Sequence, residues 1–314
     1  MGRVSETRRS NPRRRRPLRV ALGFLVLFAV IGYFAVQRDS TGGGAPYCTA
    51  AAAGADPETY DMSPEQAGNA ATIAAVGISK GLPDRAVTIA LATAMQESAL
   101  RNLDHGDRDS LGLFQQRPSQ GWGTPDQIRD PVYSAGIFYD HLAEVPGYSR
   151  LPLTVAAQKV QRSGFPQAYA KHEPDATVLT AALGGAGTLT CSGPAPAAGD
   201  PARLRAELVR AFGEQALGDG VRAGRSGAGA AGPEEVGLRV ARDGGPGGER
   251  RARAMAHWAV ARSKELGIAR VSYAGSAWTG GRDGGAWRRT GDGGTSGGGD
   301  ARSASDDEIR IFVR

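Results

Sequence analysis

The sequence predicts an α+β multidomain protein: a single N-terminal transmembrane helix, an all-helical domain, and a small α/β C-terminal domain. Three observations carry this prediction. Residues 20–36 form an uninterrupted run of apolar residues plus glycine and tyrosine. Between 60 and 191, apolar residues recur at three-to-four-residue spacing behind helix-start signals. From 202 onward, alternating strand-like segments mix with helical ones and are separated by glycine-rich connections.

At about 1.5 Å per residue, the run over 20–36 is near the lower length limit for crossing a bilayer. It is preceded by Arg3, Arg8, Arg9, Arg13, Arg14, Arg15, Arg16 and Arg19, and positive charge on one flank predicts that residues 1–19 stay cytoplasmic. A cleavable signal peptide shares this charge order but has a shorter apolar core and a small-x-small site. Here Ala35-Val36-Gln37-Arg38 follows instead, so an uncleaved anchor is expected. Either form places the bulk outside, and the expected location is the cell membrane, single-pass, with an extracellular main body.

The net charge of +6 does not imply a nucleic-acid partner. Residues 1–19 hold eight Arg and one Glu, and the rest of the chain has 30 basic against 31 acidic residues. The arginine cluster is a topology signal, and no nucleic acid is expected to bind. Cys48 and Cys191 are the only two cysteines, and an exported segment lies where disulfides persist, so they are expected to pair. Closing so long a loop contributes roughly 4 to 5 kcal/mol in the chain-entropy model.

Residues 37–59 are rich in Gly and Ala and read as a linker, with the helical domain at 60–191. Ser63-Pro64-Glu65-Gln66 is a helix start: Ser63 caps, Pro64 suits the first position and Gln66 reaches back. Further helices are expected from Pro83-Asp84 to about Leu100, from Asp130-Pro131 to Ala143, and from Leu153 to Gln161. A Pro, Ala and Gly stretch at 192–201 reads as a second linker. In the small α/β domain at 202–314, helices are expected at 202–216 and 249–265. Strands are expected at 235–241, 268–273 and 308–313, with glycine-rich loops at 218–248 and 279–300.

The most informative stretch is Ala94-Met95-Gln96-Glu97-Ser98-Ala99-Leu100, followed after a polar loop by Ser110-Leu111-Gly112-Leu113-Phe114-Gln115-Gln116-Arg117-Pro118. A carboxylate on the buried face of a helix loses hydration, which raises its pKa and lets it hold a proton near neutral pH. A general acid for glycosidic cleavage needs that property. A plainer reading pairs Glu97 with Arg101 or Arg117. Asp104, Asp107 and Asp109 are either cleft residues or parts of a solvated turn, and the amides of Gln115 and Gln116 either meet a ligand or satisfy backbone groups. Trp122, in Gln120-Gly121-Trp122-Gly123, is either a sugar-stacking indole or a core residue. His105, His141, His172 and His257 show no metal-ligand spacing, and neither a metal nor a cofactor is expected.

These segments, with Asp130-Pro131 and Ala135-Gly136-Ile137-Phe138-Tyr139, resemble the lysozyme-like lytic transglycosylases over roughly residues 63–172. The resemblance implies a lysozyme-like fold for 60–191 and peptidoglycan glycan strands as substrate. Glu97 would protonate the leaving glycosidic oxygen of the MurNAc-GlcNAc bond and then act as the base that closes an anhydro ring. Gln115 would match the cleft glutamine of that family, Ser98 and Ser110 would position Glu97 or the chain, and Tyr169 is a further candidate. The family commonly carries a Tyr-Asn pair on the helix after the cleft, where this chain has Lys159-Val160-Gln161-Arg162-Ser163-Gly164. The alternative expectation is a catalytically inactive wall-binding or scaffolding protein that keeps the cleft.

The segment Ala256-His257-Trp258-Ala259-Val260-Ala261 through Leu266-Gly267-Ile268, then Val271-Ser272-Tyr273 and Trp278, resembles a small C-terminal domain of exported actinobacterial cell-wall proteins. Its relatives often end in a histidine-rich strand, whereas 305–313 here contains no histidine. The expectation is binding or scaffolding, with His257 a packing residue.

Overall fold

The computed structural model describes residues 47–163, 166–214, 217, 221–225, 234–239, 246–281, 285–290 and 308–314. The expected anchor at 20–36 and its basic flank lie outside the described residues. Among those residues, no helix is long and apolar enough to cross a membrane.

The segment read as a linker holds strand β1 (Tyr47–Ala52), and β2 (Thr59–Met62) spans its end and the start of the expected helical domain. Both are antiparallel partners in a three-stranded sheet of order β2-β1-β3, where β3 is Gly187–Ser192. The domain beginning in this region is therefore not all-helical. β1, Tyr-Cys-Thr-Ala-Ala-Ala, lacks the large alternating residues that mark a strand, and pairing with a segment far along the chain makes it one. Its register sets Cys48 opposite Cys191, and the two form a disulfide across 143 positions of sequence.

Helix α1 (Pro64–Ser79) starts as expected: Ser63 Oγ accepts from the Gln66 amide while the Gln66 side chain accepts from the Ser63 amide. Helix α2 (Asp84–Ser98) is buried at every position from Ala86 to Met95, so it is a central helix with no solvent stripe. Its hydroxyls are satisfied internally: Thr93 donates to the Ile89 carbonyl, and Thr88 to that of Asp84. Packed around it are α3 (Pro131–Ala143), α4 (Leu153–Gln161), the 3-10 segment Pro166–His172, and α5 (Glu173–Leu183).

In the C-terminal part come α6 (Pro201–Phe212), β4 (Val221–Arg225), β5 (Glu234–Arg239), α7 (Pro246–Ala261), β6 (Ile268–Tyr273), β7 (Ser276–Thr279), β8 (Arg288–Arg289) and β9 (Glu308–Val313). The six strands form one antiparallel sheet of order β4-β5-β9-β6-β7-β8. Ile309, Ile311 and Val313 of β9 are buried, as are Val271 of β6 and Trp278 of β7. β5 coincides with the strand expected at 235–241, whereas β4 falls in the glycine-rich stretch that reads as a loop.

The division between 60–191 and 202–314 is not reproduced as two bodies, since Pro46–Arg314 is one compact unit. Helix α7 packs on α1 and β3. Its His257 is buried and Nδ1 donates to the Ala182 carbonyl at 2.6 Å, while Trp287 Nε1 donates to the Leu189 carbonyl at 2.9 Å. Arg250 pairs with Asp84 at the start of α2, and Arg210 with Asp130, the N-cap of α3. The stretch 192–201, expected to be a linker, is tied down where the Gly199 amide donates to the Arg314 carbonyl. Polar contacts at the ends of several elements hold this seam, and hydrophobic periodicity carries no signal for them.

Candidate active site

Glu97 lies in the last turn of α2, where the fully buried helix reaches partial exposure. The helix stops sharply because Ala99 and Leu100 both adopt left-handed backbone, with φ of 52° and 59°. Neither is glycine, so each conformation costs about 1 kcal/mol and must be held by its surroundings. Helix α1 holds it: the Gln66 side chain donates to the Ala99 carbonyl at 2.9 Å and Asn69 to the Leu100 carbonyl at 2.8 Å.

Next to Glu97, the buried Ser98 hydroxyl makes contacts with the Ala94 carbonyl at 3.0 Å and the Leu113 carbonyl at 2.8 Å. The second contact fixes the turn 111–116, which is closed by paired amides and carbonyls of Leu111 and Gln116. Phe114 stacks on Phe138 of α3 with ring centroids 4.6 Å apart. Gly112 has φ of 74°, and a Cβ there would stand 2.6 Å from the Ile128 carbonyl oxygen, so the close approach requires glycine.

Tyr169, fully buried in the 3-10 segment, donates its hydroxyl to Glu97 Oε1 at 2.6 Å. Gln161, the last residue of α4, donates its side-chain amide to the Phe114 carbonyl at 2.7 Å. Burial pushes the Glu97 pKa up, and the Tyr169 hydrogen bond pulls it partway back. Among the described residues, no cation pairs with Glu97. Arg117 pairs instead with Asp109 at 2.7 Å, so the ion-pair reading with Arg117 does not hold.

The three loop aspartates are not equivalent. Asp109 accepts from the Ser119 amide and from Arg117, which hold its carboxyl well below the usual range. Asp104 meets its neighbour His105 at the surface. Neither is placed as a free second carboxylate.

Of the other expected site residues, Gln115 sits in left-handed backbone with φ of 48°. A Cβ added at Gly106 would fall 1.8 Å from Gln115 Oε1, so that glycine leaves room for the amide. Ser110 is buried and its amide donates to the Asp107 carbonyl. Gln116 satisfies backbone, donating to the Ser134 carbonyl. Trp122 is half-buried, with its ring edge-on to His141 at 4.6 Å. The structure thus brings together Glu97, Ser98 and Tyr169. It adds Gln161, which was visible in sequence only as an amide standing where the Tyr-Asn pair was expected.

Among the described residues, no group of three His, Cys, Asp or Glu side chains converges as a metal site. No family model matches the chain, and no curated protein matches it.

Proposed function

We propose that this chain is a membrane-anchored, exported peptidoglycan lytic transglycosylase with Glu97 as its single acid and base. The observation that carries the reading is the Glu97 carboxyl itself: partly buried at the end of a helix, with no cation paired to it among the described residues, and shifted by burial toward the protonated form. Such a carboxyl can donate a proton near neutral pH. The proton would go to the glycosidic oxygen as the C1–O bond to MurNAc breaks. The carboxylate left behind would then take the proton of the muramic C6 hydroxyl as its oxygen bonds C1, closing the anhydro ring and restoring the acid. One carboxyl suffices for both steps, in keeping with Asp109 being fully engaged elsewhere.

Tyr169 donates to Oε1, so the transferable proton would sit on Oε2. The turn carrying Gln115 is fastened to Ser98 and Gln161, which supports a role for Gln115 on the bound glycan. Ser110, buried beneath that turn, would support it from the loop side, and Trp122 would offer a stacking face further along. The Cys48–Cys191 disulfide is consistent with an extracellular body. The membrane anchor at 20–36 belongs to the same proposal.

The test is release of soluble fragments from purified peptidoglycan by the full chain in detergent, beside Glu97→Gln. The parent is expected to solubilise wall and the variant to lose at least about 100-fold of that rate. A parent that sediments with the wall and releases nothing would replace the enzyme by a binding protein.

A further inference from the structure

Among the described residues, the non-glycine positions with left-handed backbone are Ala99, Leu100, Arg108, Gln115, Arg162 and Ala274. All but Ala274 lie at the end of α2 or on segments joined to the turn 111–116. Arg108 has φ of 57°, and the Ser110 amide donates to the Asp107 carbonyl at 3.0 Å, so Arg108 takes the second position of a tight turn, where a positive φ favours glycine. That turn is held on one side by Asp109, fixed by Arg117 and the Ser119 amide. On the other side Gly106 leaves room for the Gln115 side chain. Arg162, with φ of 52°, closes α4 by donating its amide to the Gln158 carbonyl at 2.8 Å, at a helix end where glycine is again the usual residue. Gln161 just before it donates to the Phe114 carbonyl. The two arginines therefore stand on separate segments that are both tied to the turn 111–116, one through Gln115 and the other through Phe114.

Both arginine side chains are exposed, and among the described residues neither makes an ion pair or a hydrogen bond. Arg117, by contrast, is committed to Asp109. A side chain on left-handed backbone costs free energy that glycine would avoid, and these two guanidinium groups gain no contact within the chain in return. We infer that Arg108 and Arg162 recognise the carboxylates borne by the muramyl side groups of the glycan strand, and so make the site selective for acidic strands. The inference rests on the peptidoglycan reading for its substrate. Its physical basis is charge: the sugar rings are neutral, whereas the lactyl groups and the peptides attached to them end in carboxylates. A guanidinium stays charged at every working pH and meets a carboxylate with two parallel N–H bonds. Placing the cations beside the turn, on segments other than α2, lets them bind an anion while Glu97 keeps no cationic partner.

The experiment measures binding, in detergent, of the full chain carrying Glu97→Gln to end-labelled soluble glycan strands freed of phosphate polymers, by fluorescence anisotropy. One set of strands keeps its carboxylates, a second has them converted to amides, and a third is stripped of peptide by an amidase and keeps the lactyl carboxylate alone. Adding Arg108→Gln or Arg162→Gln should each weaken binding of the untreated strands about threefold to tenfold and leave the amidated strands unchanged. Arg205→Gln, which removes an exposed arginine from α6, should change neither. If the stripped strands show the same loss, the recognised carboxylate is the lactyl one; if they do not, it belongs to the peptide. Folded variants that bind untreated strands like the parent overturn the inference. So do amidated strands bound as tightly as untreated ones, or an equal loss in Arg205→Gln. Carboxylate-dependent binding by a chain that releases nothing from peptidoglycan would end the proposed enzyme and keep the arginine pair.

Discussion

At the scale of single residues, Glu97 links stability to function. Its folded pKa is raised, so the native state holds a proton that the unfolded chain has given up. Stability from this group is present at low pH and is lost as pH rises through the folded pKa. At neutral pH, then, Glu97 costs stability, and Glu97→Gln should melt higher than the parent at pH 7, with the gap closing toward pH 4. Thermal denaturation at the two pH values checks this, and a variant that melts lower at pH 7 contradicts it. His257 has the opposite sense. Burial pulls its pKa down to about 4, so the unfolded chain binds the extra proton between that value and 6.5. Stability falls as pH drops through this window, by roughly 3 kcal/mol for such a shift. Replacing His257 by Asn should flatten the dependence of melting temperature on pH between 6.5 and 4. An unchanged slope would mean other groups are responsible.

At the scale of elements, the hook at the end of α2 depends on side chains from α1. Gln66 serves both the Ser63 cap and the Ala99 carbonyl, so Gln66→Ala should destabilise by about 1 to 2 kcal/mol, read by denaturant unfolding. A loss within error would show that the left-handed pair holds itself. The helices α1, α2, α3 and α4 were legible because capping residues, prolines and apolar spacing mark local choices. In the Glu97 neighbourhood, the helix end that carries Glu97 and Ser98 was legible, and the structure sets the Tyr169 hydroxyl against the Glu97 carboxyl. Gln161 was not legible, because an amide's value depends on which carbonyl the fold brings to it. β1 and β3 were missed for a related reason, since the Ala-rich β1 and the short β3 are fixed as strands by pairing with each other across most of the helical part. In β9, where Ile309, Ile311 and Val313 alternate with Arg310 and Phe312, the pattern alone sufficed.

At the scale of the whole molecule, two features join distant parts of the chain. The disulfide closes a loop of 143 positions between β1 and β3. Replacing both cysteines by serine should cost about 2 to 5 kcal/mol in unfolding free energy, an effect absent if the sheet alone fixes these strands. The C-terminal part is the other feature. α7 lies on α1 and β3, and His257, Trp287 and Arg250 each reach an element of the helical part. Cutting the chain after Gly199 should therefore expose an apolar face of α1 and lower solubility and melting temperature, even with Glu97 and its partners retained. A truncated chain that stays monomeric and melts like the parent would restore the picture of two separable domains.

The central claim is that one carboxyl, Glu97, cleaves the glycan by internal ring closure. Mass spectrometry of the muropeptides released by the full chain, with Glu97→Gln alongside, tests it most directly. The account predicts anhydromuramyl ends, lighter by one water than hydrolysed ends, from the parent and none from the variant. Reducing ends instead would assign the site to a hydrolytic lysozyme, and equal release by Glu97→Gln would remove Glu97 from the chemistry.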